Sequence, residues 1–240
     1  MPIKQIACLI AILILSKPAG STTIIVVARN GRVYVGADGK RSGTAHNGHV
    51  AYPACKIQRF GGFLVAHYGG YFVQVKISNS DKFKTLIDTD EITSEAMRVP
   101  GSVLEKSESL DAKFWKAYKT AISSLPSGLS VESREKLRGE LRSVAFVVVG
   151  PDMHRQPTAI ILSFRTNFDD LLPRSSKSRI VVDEGKNRCL GFCDFANGVI
   201  TDPFGPNTEE TILTYLESAA SLHPDFVGPP YSSEGEQGSN

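Results

Sequence analysis

The chain has 240 residues, 41% of them hydrophobic, enough to bury one sizeable core. Its 27 Lys and Arg nearly balance 25 Asp and Glu, and a net charge of +2 gives no basic footprint for nucleic acid. Its four cysteines lack the paired spacing of a zinc framework.

The first residues have the shape of a secretory leader. Lys4 gives a positive start, and residues 6–15 are an almost unbroken apolar run, short for a bilayer span. Ala19 and Ser21 are small residues three and one before a cut ahead of Thr22. Cutting one or two residues earlier would put Pro18 or Lys17 at the third position back, a poor fit. The expectation is a signal peptide at 1–21 and an exported product, secreted or periplasmic, free of the membrane once the leader is gone. The mature chain then starts at Thr22, whose hydroxyl and free α-amine are a nucleophile and a base on one residue. An uncleaved anchor would leave Thr22 without that amine.

Residues 22–28 and 32–37 are β-branched runs separated by Arg29-Asn30-Gly31, a strong hairpin signal. Residues 56–59 and 63–68 repeat the pattern around Gly61-Gly62, so four strands in two hairpins are expected. Between them, 43–53 reads as a Gly-rich loop in which His46 and His49 are exposed side chains, not metal ligands. The Ser-, Asp-, Glu- and Lys-rich stretch 78–110 fits no single pattern. Phe114, Trp115, Tyr118, Ala121 and Ile122 then recur at helical spacing, and 131–142 reads as a polar surface helix.

Strands return at 144–149 and 158–164 around Gly150-Pro151-Asp152, with a short candidate at 179–183. Asn207-Thr208-Glu209-Glu210 resembles a capping box for a helix carrying Ile212, Leu213, Leu216, Ala219 and Ala220. The tail 231–240 holds Ser, Glu and Gly and reads as disordered. Runs of strands, helices, strands and a helix indicate an α+β fold in layers. Roughly 220 residues suit one domain, placed at 22–230. Once the leader is cut, Cys55, Cys189 and Cys193 remain, so at most one internal disulfide forms.

Thr22-Thr23-Ile24-Ile25, Val35-Gly36-Ala37-Asp38-Gly39-Lys40, Cys55-Lys56-Ile57 and Ala66-His67-Tyr68-Gly69-Gly70 together resemble the amino-terminal half of a proteasome β-type subunit. The resemblance is clear over 22–70 and weaker over 144–164. It implies an N-terminal-nucleophile (Ntn) hydrolase with a four-layer αββα sandwich. Sixteen residues separate Thr22 from Asp38, as they separate that family's nucleophile and aspartate. Lys56 precedes an isoleucine as the family's catalytic lysine does. It lies two residues later than an ungapped comparison puts it, an offset that an insertion in 43–53 would supply.

The roles implied are catalytic. Thr22 Oγ attacks a carbonyl carbon, and its amine, with an ordinary pKa of ~7.7–8.0, takes the proton. Lys56 places a positive charge beside both groups, and Asp38 orients Lys56. Gly69, or Gly70 in a shifted register, supplies an oxyanion-hole N–H worth ~3–4 kcal/mol. The implied activity is threonine-type hydrolysis of peptide or other amide substrates, with no cofactor and no metal. The family's stacked rings imply homo-oligomers, although no sequence feature here shows them.

Three departures support a second reading, a catalytically inactive Ntn-type sandwich used for binding or assembly. Leu190-Gly191-Phe192-Cys193-Asp194 lacks the serine of the family's Gly-Ser-Gly type turn. Val227 follows Asp225 where a serine is expected, with Pro229 and Pro230 just beyond. The last sheet strand is expected to be missing, because residues from Tyr231 onward lack core formers. A serine-hydrolase reading is weaker still, since no Gly-x-Ser-x-Gly motif occurs.

Overall fold

A computed structural model describes residues 23–38, 40–45, 48–53, 56–69, 72–76, 83–123, 131–168, 173–191, 208–222 and 231–237. The leader, Thr22, His46, Cys55, Gly70, Asn207, 192–207 and 223–230 lie outside them.

β1 (Thr23–Arg29) and β2 (Arg32–Asp38) form the expected hairpin. Asn30 and Gly31 reverse it with φ of 55° and 67°, the I′ geometry that matches strand twist. β3 (Lys40–Ala45) and β4 (Gly48–Pro53) then pair with each other. This corrects the loop expected at 43–53: a third hairpin intervenes. Ladder bonds need only main-chain groups, and this segment shows no apolar alternation to announce them. β5 (Ile57–Phe60) and β6 (Phe63–Tyr68) are the other expected hairpin.

The ambiguous stretch resolves into several elements. β7 (Phe72–Lys76) pairs with β8 (Phe83–Asp88), which runs into α1 (Thr89–Met97), capped by the Asp88 carboxylate accepting from the Glu91 N–H at 3.1 Å. α2 (Val103–Ser123) starts with a capping box, in which Glu105 Oε2 accepts from the Ser102 N–H at 2.7 Å. α3 (Val131–Arg142) follows. β9 (Ser143–Pro151) and β10 (Pro157–Asn167) run longer than expected. Their turn is displaced to residues 152–156, where Asp152 Oδ1 accepts from the His154 and Gln156 N–H groups, each at 2.8 Å. β11 (Arg174–Val182), β12 (Asn187–Gly191), α4 (Thr208–Leu222) and β13 (Tyr231–Gln237) complete the described elements.

The strands assemble into two main sheets, with orders β12-β1-β2-β13 and β11-β10-β9-β6-β5. Both are antiparallel, and their inner faces meet in a core of Ile24, Val26, Val35, Ile57, Leu64, Val147, Val149 and Ile161. The outer face of the five-stranded sheet packs Phe146, Val148, Ile160 and Phe164 against Leu110, Phe114 and Tyr118 of α2. Phe114 meets Phe146 edge-on at 4.8 Å, an aromatic pair adding ~0.5–1.5 kcal/mol beyond area burial. The outer face of the four-stranded sheet packs Ile25 and Val27 against Ile212 and Leu216 of α4. Gly36 lets α4 lie close: a Cβ there would stand 2.0 Å from Ile212 Cγ2. The result is the αββα layering expected from the sequence. It explains why β1 and β9 read as continuous apolar runs, since both of their faces are covered.

The expected disordered tail is corrected over 231–237. These residues form β13, which pairs antiparallel with β2, Tyr231 opposite Asp38 and Gln237 opposite Arg32. An edge strand needs main-chain complementarity more than apolar side chains, and charged residues are common there. The four-stranded sheet therefore has the last strand that the composition concealed.

Candidate active site

Asp38 ends β2, and Thr23 begins β1 beside it. Asp38 Oδ1 accepts from the Thr23 main-chain N–H at 2.6 Å. Asp38 Oδ2 accepts from Lys56 Nζ at 3.1 Å. Lys56 immediately precedes β5, so this ion pair bridges the two sheets at one end of the sandwich. Asp38 is fully buried and Lys56 is 2% exposed. Charges this deep persist only when paired and hydrogen-bonded.

Two of the sequence-predicted residues are thus in direct contact. Gly69 follows β6 at the same end. Ile57 pairs with Ala66, so Lys56 stands level with His67, two residues before Gly69. Gly69 has φ +97°, and a Cβ there would lie 2.4 Å from the Ser143 carbonyl oxygen and 3.0 Å from Val144 Cα. Backbone conformation and the close approach of β9 both require glycine. Thr22 lies outside the described residues, but its neighbour Thr23 is held by the same carboxylate that holds Lys56.

The Thr23 N–H and the Tyr68–Arg165 pair escaped the sequence reading. The Thr23 N–H is a main-chain group and leaves no side-chain signature. Tyr68 faces the inter-sheet core; burial pushes its phenol pKa up, and the nearby Arg165 guanidinium opposes this. Arg165 continues the inward alternation Ala159, Ile161, Ser163 on β10, and a cation there was a legible signal. His67 is buried against Phe146, ring centroids 6.2 Å apart. Cys189 on β12 is disulfide-bonded. Among the described residues no three His, Cys, Asp or Glu side chains cluster to hold a metal, and no helix is long and apolar enough to cross a membrane.

The Anbu complex from Pseudomonas aeruginosa, solved as a helical assembly, is similar over 90% of this chain and 81% of its own, with TM-score 0.56 and 11% identity. The fold is that of the proteasome-like Ntn proteins. Eukaryotic HslV from Trypanosoma brucei covers 89% of this chain and 98% of its own at TM-score 0.39 and 15% identity. An Anbu (Gly-1) mutant from Hyphomicrobium sp. strain MC1 covers 91% and 84% at TM-score 0.43 and 11% identity. The assignment rests on the first similarity and on the αββα layering. No family model and no curated protein matches the sequence. Within the Ntn fold, the Asp38–Lys56 pair sits at the end of the sandwich where β1 begins.

Proposed function

We propose that this chain is an exported N-terminal-threonine hydrolase that cleaves peptide or other amide bonds, its nucleophile exposed by removal of residues 1–21. The observation that carries the reading is the buried Asp38 carboxylate, shared between the Lys56 ammonium and the Thr23 amide. It fixes a positive charge and the first peptide of β1 together, one residue from Thr22. Thr22 Oγ attacks the substrate carbonyl carbon while the α-amine takes the hydroxyl proton. The carbonyl oxygen gains the charge, and the Gly69 N–H is the donor assigned to it. Collapse breaks the C–N bond as the amine passes its proton to the leaving nitrogen. Water then cleaves the Thr22 ester, its proton returning through the amine to Oγ. Homo-oligomers are part of this proposal, supported by the helical assembly of the similar Anbu complex.

N-terminal sequencing of the exported protein is expected to start at Thr22; any other start excludes this mechanism. An electrophile selective for N-terminal threonine is expected to label the wild type and not Thr22→Ala. Absence of labelling on a chain that does start at Thr22 favours the inactive sandwich.

A further inference from the structure

On the inner face of β10, Ala159 and Ile161 are buried, Ser163 is half-buried and Arg165 is exposed. The two sheets therefore part toward the end that carries the Asp38–Lys56 pair. The gap is a cleft of about 290 Å3 between β10 and β11 on one side and β12 on the other. Register assigns its wall: Ser176, Ser178 and Ile180 of β11 stand opposite Arg165, Ser163 and Ile161 of β10. From the facing sheet, Arg188 and Leu190 of β12 line it, opposite Val26 and Ile24 of β1.

The charge in this cleft is one-sided. Arg165, Arg188 and Lys177 line it, and among the described residues no acidic side chain does. Among the described residues Arg165 has no ion-pair partner, and Arg188 donates to the carbonyl of its own neighbour, Asn187, at 3.3 Å. The neighbouring cations of β11 differ. Lys177 holds Asp111 at 2.6 Å and Arg179 holds Glu108 at 3.0 Å, both on α2. Lys177 therefore lends the cleft its backbone and not its ammonium. Two guanidinium groups, three serine hydroxyls and an apolar floor of Ile161, Ile180 and Leu190 suit a carboxylate on a short apolar stem. Arginine recognises a carboxylate through paired N–H donors, and the hydroxyls add further donors. β11 and β12 are both sheet edges among the described residues, with main-chain groups an extended strand can pair with.

We propose that this cleft binds an acidic side chain of an extended peptide, with Arg165 and Arg188 clamping a glutamate carboxylate. The assignment of that peptide as substrate rests on the hydrolase reading; the binding site itself does not. At this size the cleft takes one or two residues, smaller than ordinary cofactor sites of ~300–1,000 Å3. Leu190 opposes Ile24, one residue from Thr23, so a peptide anchored here runs toward the start of β1. Arg165 and Arg188 thereby become specificity determinants for acidic over neutral sequences.

The test is fluorescence anisotropy of a labelled Glu-containing pentapeptide on the mature protein, against its Gln isostere. The Glu peptide is expected to bind about tenfold more tightly than the Gln peptide, with affinity falling as salt rises. Arg165→Gln and Arg188→Gln are each expected to weaken the Glu peptide about tenfold and leave the Gln peptide unchanged. Lys177→Gln is expected to change neither. The double variant Arg165→Glu, Arg188→Glu is expected to reverse the preference toward a Lys peptide, a gain that misfolding cannot produce. Equal binding of Glu and Gln peptides overturns the proposal, as does tighter binding of a phosphoserine peptide. Preferential Glu binding without hydrolysis upholds the cleft and counts against the hydrolase. Hydrolysis without acidic preference in binding does the reverse.

Discussion

Lys56→Met tests what the buried ion pair contributes. At 3.1 Å and an effective dielectric of ~20, the two charges attract by about 5 kcal/mol. Burying each ion costs several kcal/mol, so the net worth of the pair is far smaller than this attraction. Removing one partner is different, because Asp38 then remains buried without its counter-ion. The expected loss is ~3–5 kcal/mol, a large fraction of a total near ~5–15 kcal/mol. Asp38→Asn should cost a similar amount by stranding the ammonium. The double variant removes both charges, and an asparagine oxygen can still accept from the Thr23 N–H. It is expected to recover at least ~2 kcal/mol relative to the sum of the singles. Urea unfolding followed by circular dichroism measures the cycle, and hydrolysis of a short peptide amide is measured beside it. The double variant should be folded and inactive, which separates the catalytic role from the structural one. Additive losses, or single variants within about 0.5 kcal/mol of wild type, would refute the argument from burial.

Gly69→Ala forces an L side chain to φ +97° against the Ser143 carbonyl, so a loss of roughly 2–5 kcal/mol is expected by thermal unfolding. Lost activity in that variant with an unchanged Tm would instead point to a methyl group that shifts the N–H or obstructs the substrate, since alanine keeps the donor. Gly36→Val should push α4 from the sheet at a cost of ~1–3 kcal/mol, and Ile212→Ala in the same chain should restore part of it, since Ile212 Cγ2 is the atom struck. Tyr118 is buried, its hydroxyl donating to the Leu141 carbonyl and accepting from Thr166 Oγ1 at 2.8 Å; burial pushes its pKa up to about 12 from 10.0. The folded state keeps this proton where the unfolded state loses it. Stability present below pH about 10 should therefore decline by ~2–3 kcal/mol as pH rises to about 12. Urea midpoints across that range should fall less steeply in Tyr118→Phe, and an equal slope would exclude Tyr118 as the cause.

The sequence made the two central hairpins legible because Asn30-Gly31 and Gly61-Gly62 are strong local signals flanked by β-branched runs. Asp38 and Lys56 were legible through the family resemblance, Asp38 by its distance from Thr22 and Lys56 by the isoleucine that follows it, although its spacing is two residues off. β13 was invisible because an edge strand of Ser, Glu and Gly is defined by its partner's main chain. α1 and α2 were less hidden than they seemed: Asp88 and the Ser102-x-x-Glu105 box both mark helix starts within 78–110. The cleft at Arg165 and Arg188 needed the register of three strands and could not be read from spacing. The pairing of Cys189 likewise depends on the fold and not on the count of cysteines.

The order β12-β1-β2-β13 joins early strands to late ones. A growing chain makes the β1–β2 hairpin first, then waits through about 150 further residues for β12 and longer for β13. At ~5–20 residues per second that delay is roughly 7–30 s. Ile24 and Val26 on one face have no facing sheet until β10 is made, and Ile25 and Val27 on the other wait longer for α4. The five-stranded sheet can form its core earlier, since β5, β6, β9 and β10 are complete by Asn167. Folding then proceeds from the middle of the chain outward, and the strand leading out of Thr22 is among the last to be locked. Until then the open edges of the nascent hairpin are free to pair out of register.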